Sequence, residues 1–357
     1  MRSKKITIIL ALFGATTLSS IFVGWTNVAD PEHHTADIKN AVAKSLPLLQ
    51  TSSHKFIERN PRHCISCHNN LLTGMLEEKM LQKGLPVIDS FKAERISITN
   101  LSIRFIGNIN NPDDFVGSKF ILPYALMGLH ADKEQPNPYT DIAVDYILSQ
   151  QHPDGTFQAQ SGRPPHETGA AHSVAINIRG LQLYASPAKK AFVDKAIGRA
   201  KGWLTNYQPN TQQELVFQLL GLHWAGATPA EKDKFAEKLK ATQNADGSWS
   251  QLPSMTGDAY ATGEALYALG ETNNTGPDDK AVQKAISWLL KHQDPSGAWI
   301  VESRAYPVQP FFNSDFPPYD ENQFISAAAT NWACLALLST LPDQPQTALA
   351  NPPHSSP

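Results

Sequence analysis

Apolar residues recur at helical spacing along most of the chain, and two kinds of helix alternate. One kind has an apolar stripe, such as Ile142, Tyr146 and Ile147 or Ala285, Trp288 and Leu289. Its other side is charged, as with Lys232, Lys234, Glu237 and Lys238 or Asp279 and Lys280. The second kind is rich in Ala, Gly and Leu and apolar nearly all round, over 170–184, 211–225, 259–269 and 324–338. A helix apolar on every side is surrounded by other helices. Two further pairs lie upstream, 38–50 with 70–83 and 88–106 with 115–130. The pattern predicts an all-α chain of six helix pairs, with charged outer helices around an apolar inner ring.

Short turns punctuate the pairs. Three match one template: Gln151-His152-Pro153-Asp154-Gly155-Thr156-Phe157, Gln243-Asn244-Ala245-Asp246-Gly247-Ser248-Trp249 and Gln293-Asp294-Pro295-Ser296-Gly297-Ala298-Trp299. Their glycines are 247 − 155 = 92 and 297 − 247 = 50 residues apart. The longer gap is two periods, and Tyr207-Gln208-Pro209-Asn210 marks a degenerate turn inside it. A repeat of this length signals a repeat architecture. The polar residue before Gly suits a left-handed position that ends a helix, and the aromatic that follows packs beneath the turn.

Composition narrows the partners. Hydrophobic residues are 41% and charged residues 18% of 357, enough apolar material for a large core, which excludes wholesale disorder. The net charge of −3 leaves no basic excess to hold nucleic acid. Residues 1–29 read as an export signal: Arg2, Lys4 and Lys5 precede an apolar stretch, and small residues end at Ala29. Cleavage there leaves −3 − 3 = −6, and an uncleaved segment would be the chain's membrane anchor. Residues 30–340 then form one domain, and the Pro-, Gln- and Ser-rich residues 341–357 a disordered tail. The aromatic, proline-rich insertion 303–320 is long enough to be a lid or binding loop, or a cap over one end of the ring.

One motif carries definite chemistry. Cys64-Ile65-Ser66-Cys67-His68 is the C-x-x-C-H attachment signal for a c-type haem, here a single covalent haem c. One helical turn presents both thiols to the porphyrin vinyl groups, and His68 supplies the proximal imidazole to iron. A redox dithiol, a disulfide or half of a zinc site are the other uses of such a pair. Cys334 reads as a buried small hydrophobe. For the distal ligand, Met75 and Met80 share the helix of His68 and fall beside it. Met127, His130 and His172 are the leading candidates, with His166, His223 and Met255 also eligible by location. Asp258 and Glu167 begin inner helices, as polar residues at a cavity mouth or as helix caps.

The Gln-x-x-Asp-Gly-x-Trp turns resemble the repeat of the squalene–hopene cyclase and protein prenyltransferase superfamily over about residues 38–340. That resemblance implies an α/α toroid of six inner and six outer helices around a central cavity. It does not bring the family's catalytic groups. No Asp-x-Asp-Asp string surrounds Asp113-Asp114 or Asp278-Asp279, and no Asp-x-Cys pair accompanies Cys334. The functional expectation is therefore an exported c-type haem protein on a cyclase-like toroid, working in electron transfer or haem-based redox chemistry with a redox partner protein. The first alternative is a haem-dependent enzyme or binding protein acting on a small apolar, isoprenoid- or lipid-like ligand in the cavity. The second is a protein-interaction scaffold. Any enzyme activity would be haem-dependent oxidation rather than protonation-initiated cyclisation.

Overall fold

A computed structural model describes residues 31–60, 65–106, 118–158, 162–276, 279–305 and 313–343. Residues 1–30, Cys64, the middle of the aromatic insertion and the last fourteen residues lie outside them. Twelve α-helices follow one another among the described residues: α1 (Pro31–Arg59), α2 (Leu72–Gln82), α3 (Lys92–Ile106), α4 (Ser118–Ala131), α5 (Pro138–Ser149), α6 (Ala170–Tyr184), α7 (Lys190–Asn206), α8 (Gln212–Trp224), α9 (Pro229–Lys240), α10 (Ala259–Glu271), α11 (Lys280–Lys291) and α12 (Gln323–Ser339). The even-numbered helices touch in series from α2 to α12, and α12 returns to α2. The odd-numbered helices pack outside them, α1 against α2 and α12, α7 against α6 and α8. No helix among the described residues is long and apolar enough to cross a membrane.

Burial follows the two patterns in the sequence. Every residue of α12 from Phe324 to Leu338 is buried, and so is α10 from Ala259 to Leu269. Outer helices bury only a stripe, Phe235, Ala236 and Leu239 in α9 and Val282, Ala285, Ile286 and Leu289 in α11. Small residues allow the inner helices to approach. A methyl group on Gly263 would lie 2.8 Å from the α12 backbone at Trp332 and Ala333. Local signals start the outer helices. Asn137 with Thr140 and Thr228 with Glu231 form capping boxes, each followed by proline in the first turn.

The repeat turns fasten each pair to the next. Gly155, Gly247 and Gly297 have φ of 98°, 98° and 99°. Each glycine presses on a carbonyl within the outer helix of a neighbouring pair, at Arg199, Lys284 and Lys44. The template glutamines make the same join with hydrogen bonds. Gln151 donates to the Ala196 carbonyl at 2.8 Å, Gln243 to Ala281 at 2.8 Å and Gln293 to Ala41 at 2.9 Å. The aromatics are buried beneath, and the indoles donate to the preceding helix, Trp249 to the Leu239 carbonyl and Trp299 to Leu289. The third turn thus clasps α1 and joins the end of the repeat array to its beginning.

One buried ionic cluster ties α2, α3 and α4 together. Arg95, 2% exposed, reaches Glu77 at 2.8 Å, Asp89 at 2.9 Å and Asp132 at 2.6 Å. A buried guanidinium needs such partners, because an unpaired charge there is very costly.

Candidate functional site

The inner helices run the same way, so their N-termini gather at one mouth of the ring and their C-termini at the other. The Cys-His segment reaches the first mouth through a specific local fold. Ser66 caps the segment, its hydroxyl accepting from the Asn69 N–H at 3.0 Å. Asn70 accepts from the Ser66 N–H and donates to the Ser53 carbonyl at 2.8 Å, which fixes the segment on α1. Cys67–Leu71 then form a single wide π-helical turn, with the Leu71 N–H bonded to the Ser66 carbonyl. Such turns re-aim side chains at functional sites. Here both Cys67 and His68 are buried, and Asn331 of α12 donates to the His68 carbonyl at 3.0 Å.

A loop from a distant repeat covers them. Residues 162–169, ahead of α6, carry Arg163, His166 and Glu167. Arg163 and Glu167 form an ion pair, and the Cys67 thiol donates to Glu167 Oε1 at 3.9 Å. The His166 ring lies 5.9 Å from the His68 ring at 83°. Phe56 and Phe324 meet His68 edge-on at 5.9 and 5.8 Å. His166 Nδ1 pairs with the Tyr260 hydroxyl at 3.2 Å, while its Nε2 has no hydrogen-bond partner. His172 stacks on Phe217 at 3.9 Å and pairs with the Tyr124 hydroxyl at 2.9 Å. Gln213 donates to the Tyr260 hydroxyl at 3.0 Å.

Burial sets the protonation of this cluster. It drives His68 and His172 well below the ordinary imidazole range and His166 to about 3, so all three rings are neutral. It drives the Cys67 thiol far up, with the Glu167 carboxylate adding to the effect and Arg163 opposing it. Glu264 of α10, 1% exposed, is held well above the usual carboxyl range by burial.

The opposite mouth holds a cavity of about 110 Å³ to which all six inner helices contribute. Met75, Met127, Trp224, Tyr267 and Leu335 form its apolar walls, and Glu78, Lys79, His130, Arg179 and Glu271 its rim. Much of the axis between the mouths is filled. Trp332 packs against Tyr267 at 5.2 Å and Phe217 at 6.3 Å.

The structure brings Cys67, His68, Glu167 and His172 together at one mouth and sets Met127 and His130 at the other. Cys64 lies outside the described residues. Asp258 caps α10, its Oδ1 accepting from the Ala261 N–H at 2.9 Å. Tyr124, Gln213, Tyr260 and Glu264 stand out only once the helices are assembled. The signal for them was a polar residue in an otherwise apolar inner helix.

Residues 211–349 match the family model for the squalene-hopene cyclase C-terminal domain. Drimenyl diphosphate synthase from Streptomyces showdoensis is 25% identical over 173 residues, 44% of this chain and 31% of that one. The chain therefore spans about a third of the length of that relative. Among solved structures, the type II terpene cyclase MstE from Scytonema, in complex with geranylgeranyl dihydroxybenzoate, superposes with a TM-score of 0.54 at 14% identity. The match covers 87% of this chain and 100% of that one. A glycosidase in complex with glucose reaches 0.55 at 9% identity, covering 88% and 100%. These likenesses correct the leading functional expectation. The sequence relatives are a drimenyl diphosphate synthase, a squalene-tetrahymanol cyclase and a lanosterol synthase, so the reading as a haem-based electron-transfer protein with a redox partner is set aside. The motif Cys64–His68 is short and local, whereas the repeat that fixes the relatives runs through most of the chain. The fold is a terpene-cyclase-like α/α toroid, and its C-terminal part is similar to the squalene–hopene cyclase domain.

Proposed function

We propose that the ring binds a small apolar, isoprenoid-like molecule on its axis, with Glu264 as the acid deeper in the ring. The observation that carries this reading is the cavity to which all six inner helices contribute, where Met75, Met127, Trp224, Tyr267 and Leu335 stand among charged side chains. Concave apolar sites with a few polar groups are the usual ligand sites. The cyclase relatives support the class of ligand. At about 110 Å³ the cavity takes only the end of such a molecule, against roughly 300–1,000 Å³ for common ligand sites. Glu264 lies one helical turn from Tyr267 on α10, beside Tyr260, where a proton could be delivered to an alkene between aromatic walls. Residues 1–29 belong to the same proposal as an export signal, which would place this chemistry outside the cytoplasmic membrane.

The test is binding by the full purified chain. Prenyl alcohols of increasing length and squalene, delivered in detergent, should co-elute with the protein and raise its melting temperature. At a hundredfold excess over Kd the gain is about 2.7 kcal/mol. Glu264→Gln should still bind but lose any product detected by mass spectrometry. No binding by any isoprenoid would sink the proposal, and stabilisation by oligosaccharides instead would move the chain toward the other chemistry found on this fold.

A further inference from the structure

We propose that His68 and His166 are two ligands of a buried first-row transition-metal centre at the mouth opposite the axial cavity. The two imidazoles and Cys67 each offer a ligand atom, and these atoms lie within 4.8 Å of one another. Metal–nitrogen bonds of about 2.0–2.1 Å and metal–sulfur bonds of about 2.3 Å put such atoms roughly 3.3–4.4 Å apart. The observed spacing needs only a small inward movement. His166 is 1% exposed, and its Nε2 finds no partner, which is costly for a buried polar atom unless something ligates it. Its other nitrogen is held by the Tyr260 hydroxyl, as the outer nitrogen of a ligating histidine usually is held. The π-helical turn and the 162–169 loop, about one hundred residues apart in sequence, bring these three side chains together.

The shared chemistry is an imidazole pair on one metal, and it has two sources. A bare ion such as Zn²⁺ would take the Cys67 thiolate as a third ligand, releasing the thiol proton to solvent. A porphyrin iron would sit between the imidazoles. In that case Cys67 is a thioether, formed by addition of its S–H across a vinyl C=C, with every atom retained. This assignment is independent of the isoprenoid reading, since its readouts do not involve that ligand.

The full chain, with its export segment, is produced in a host that matures c-type haem and in one that does not. Metal content is measured by mass spectrometry, and haem by the pyridine haemochrome and by visible spectrum. About one metal per chain is expected in one of the two forms. For a bare ion, His166→Ala and Cys67→Ser should each lower metal affinity at least about tenfold. For haem, His166→Ala should keep the covalent haem but turn a low-spin spectrum high-spin, and added imidazole should reverse it. His166→Gln guards against misfolding, because it retains a side-chain partner for Tyr260. His152→Ala, exposed in the first repeat turn, should change neither readout. Protein without metal in either host overturns the proposal. So does a His166 variant, folded by circular dichroism, whose metal content and spectrum match the wild type.

Discussion

Gly297→Ala probes whether the turns are structural joints. Gly297 has φ of 99°, a region that residues with a Cβ occupy at a cost of about 1–3 kcal/mol. A methyl group there would stand 2.8 Å from the Lys44 carbonyl oxygen and 3.0 Å from Lys44 Cγ. The Lys side chain can move aside, but the carbonyl belongs to α1 and cannot swing without disturbing that helix. Backing the turn away would stretch the bonds from Gln293 to Ala41 and from Ser45 to Gly297, at 2.9 and 2.6 Å. Each is worth about 1 kcal/mol. The expected loss is therefore about 3–5 kcal/mol. Gly198→Ala is the matched control, since it lies within α7 with nothing within 4 Å of the added carbon. It should gain about 0.5–1 kcal/mol, because alanine is the better helix former. Urea denaturation followed by far-ultraviolet circular dichroism measures both, read as midpoint shifts at constant slope. The reasoning fails if Gly297→Ala costs under about 1 kcal/mol, or if both substitutions move stability the same way.

Two further outcomes are expected. Arg95→Ala should cost about 3–5 kcal/mol in the same assay, because it leaves the carboxyls of Glu77, Asp89 and Asp132 buried without their cation. A loss under about 1 kcal/mol would mean the cluster is already solvated. Asp258 gives a pH test: burial holds its carboxyl up at about 6 against an ordinary 3.8. The folded chain therefore binds this proton more tightly than the unfolded chain. Stability present at low pH falls as pH rises between about 4 and 6. Asp258→Asn keeps an oxygen to cap α10 and removes the titration. Its advantage over wild type should grow across that window, by at most about 3 kcal/mol. A flat difference from pH 4 to about pH 8 would show the carboxylate to be ionised and solvated throughout.

The helix pairs were legible because each level agreed with the next. Helices such as 259–269 are apolar all round only if they lie inside other helices, and the template turns recur at the spacing of the pairs. Boundaries were less so: α1 extends well beyond 38–50 at both ends, since polar residues on its outer face hide its length. Depth along the ring axis was available but unused. Met127 and His130 lie nine and twelve residues after Ser118, roughly 13–18 Å down α4 at 1.5 Å per residue. His68 is at the start of its inner helix, so neither could face it. His166 was eligible by location, but nothing in the sequence ranked it above the others. It lies on a loop between helices, and no periodicity says that this loop folds over a segment one hundred residues earlier. The filled axis was also beyond pattern reading, since a run of small residues does not reveal where Trp332 will point.

The clasp of the third turn on α1 has a consequence for how the molecule comes apart. Linear repeat arrays fray from their terminal units, which see a neighbour on one side only. Here Gln293 and Ala41, 252 residues apart, make the first and last pairs neighbours, so no unit is terminal. Bringing positions so distant together costs roughly 5 kcal/mol of loop entropy, from three-halves RT times the logarithm of the separation. That charge falls on this one seam, while every other junction joins neighbours in sequence. The seam should be the last junction to zip and the first to open. Fusing the chain across it and breaking it at another exposed connection would move this weak point without altering the ring.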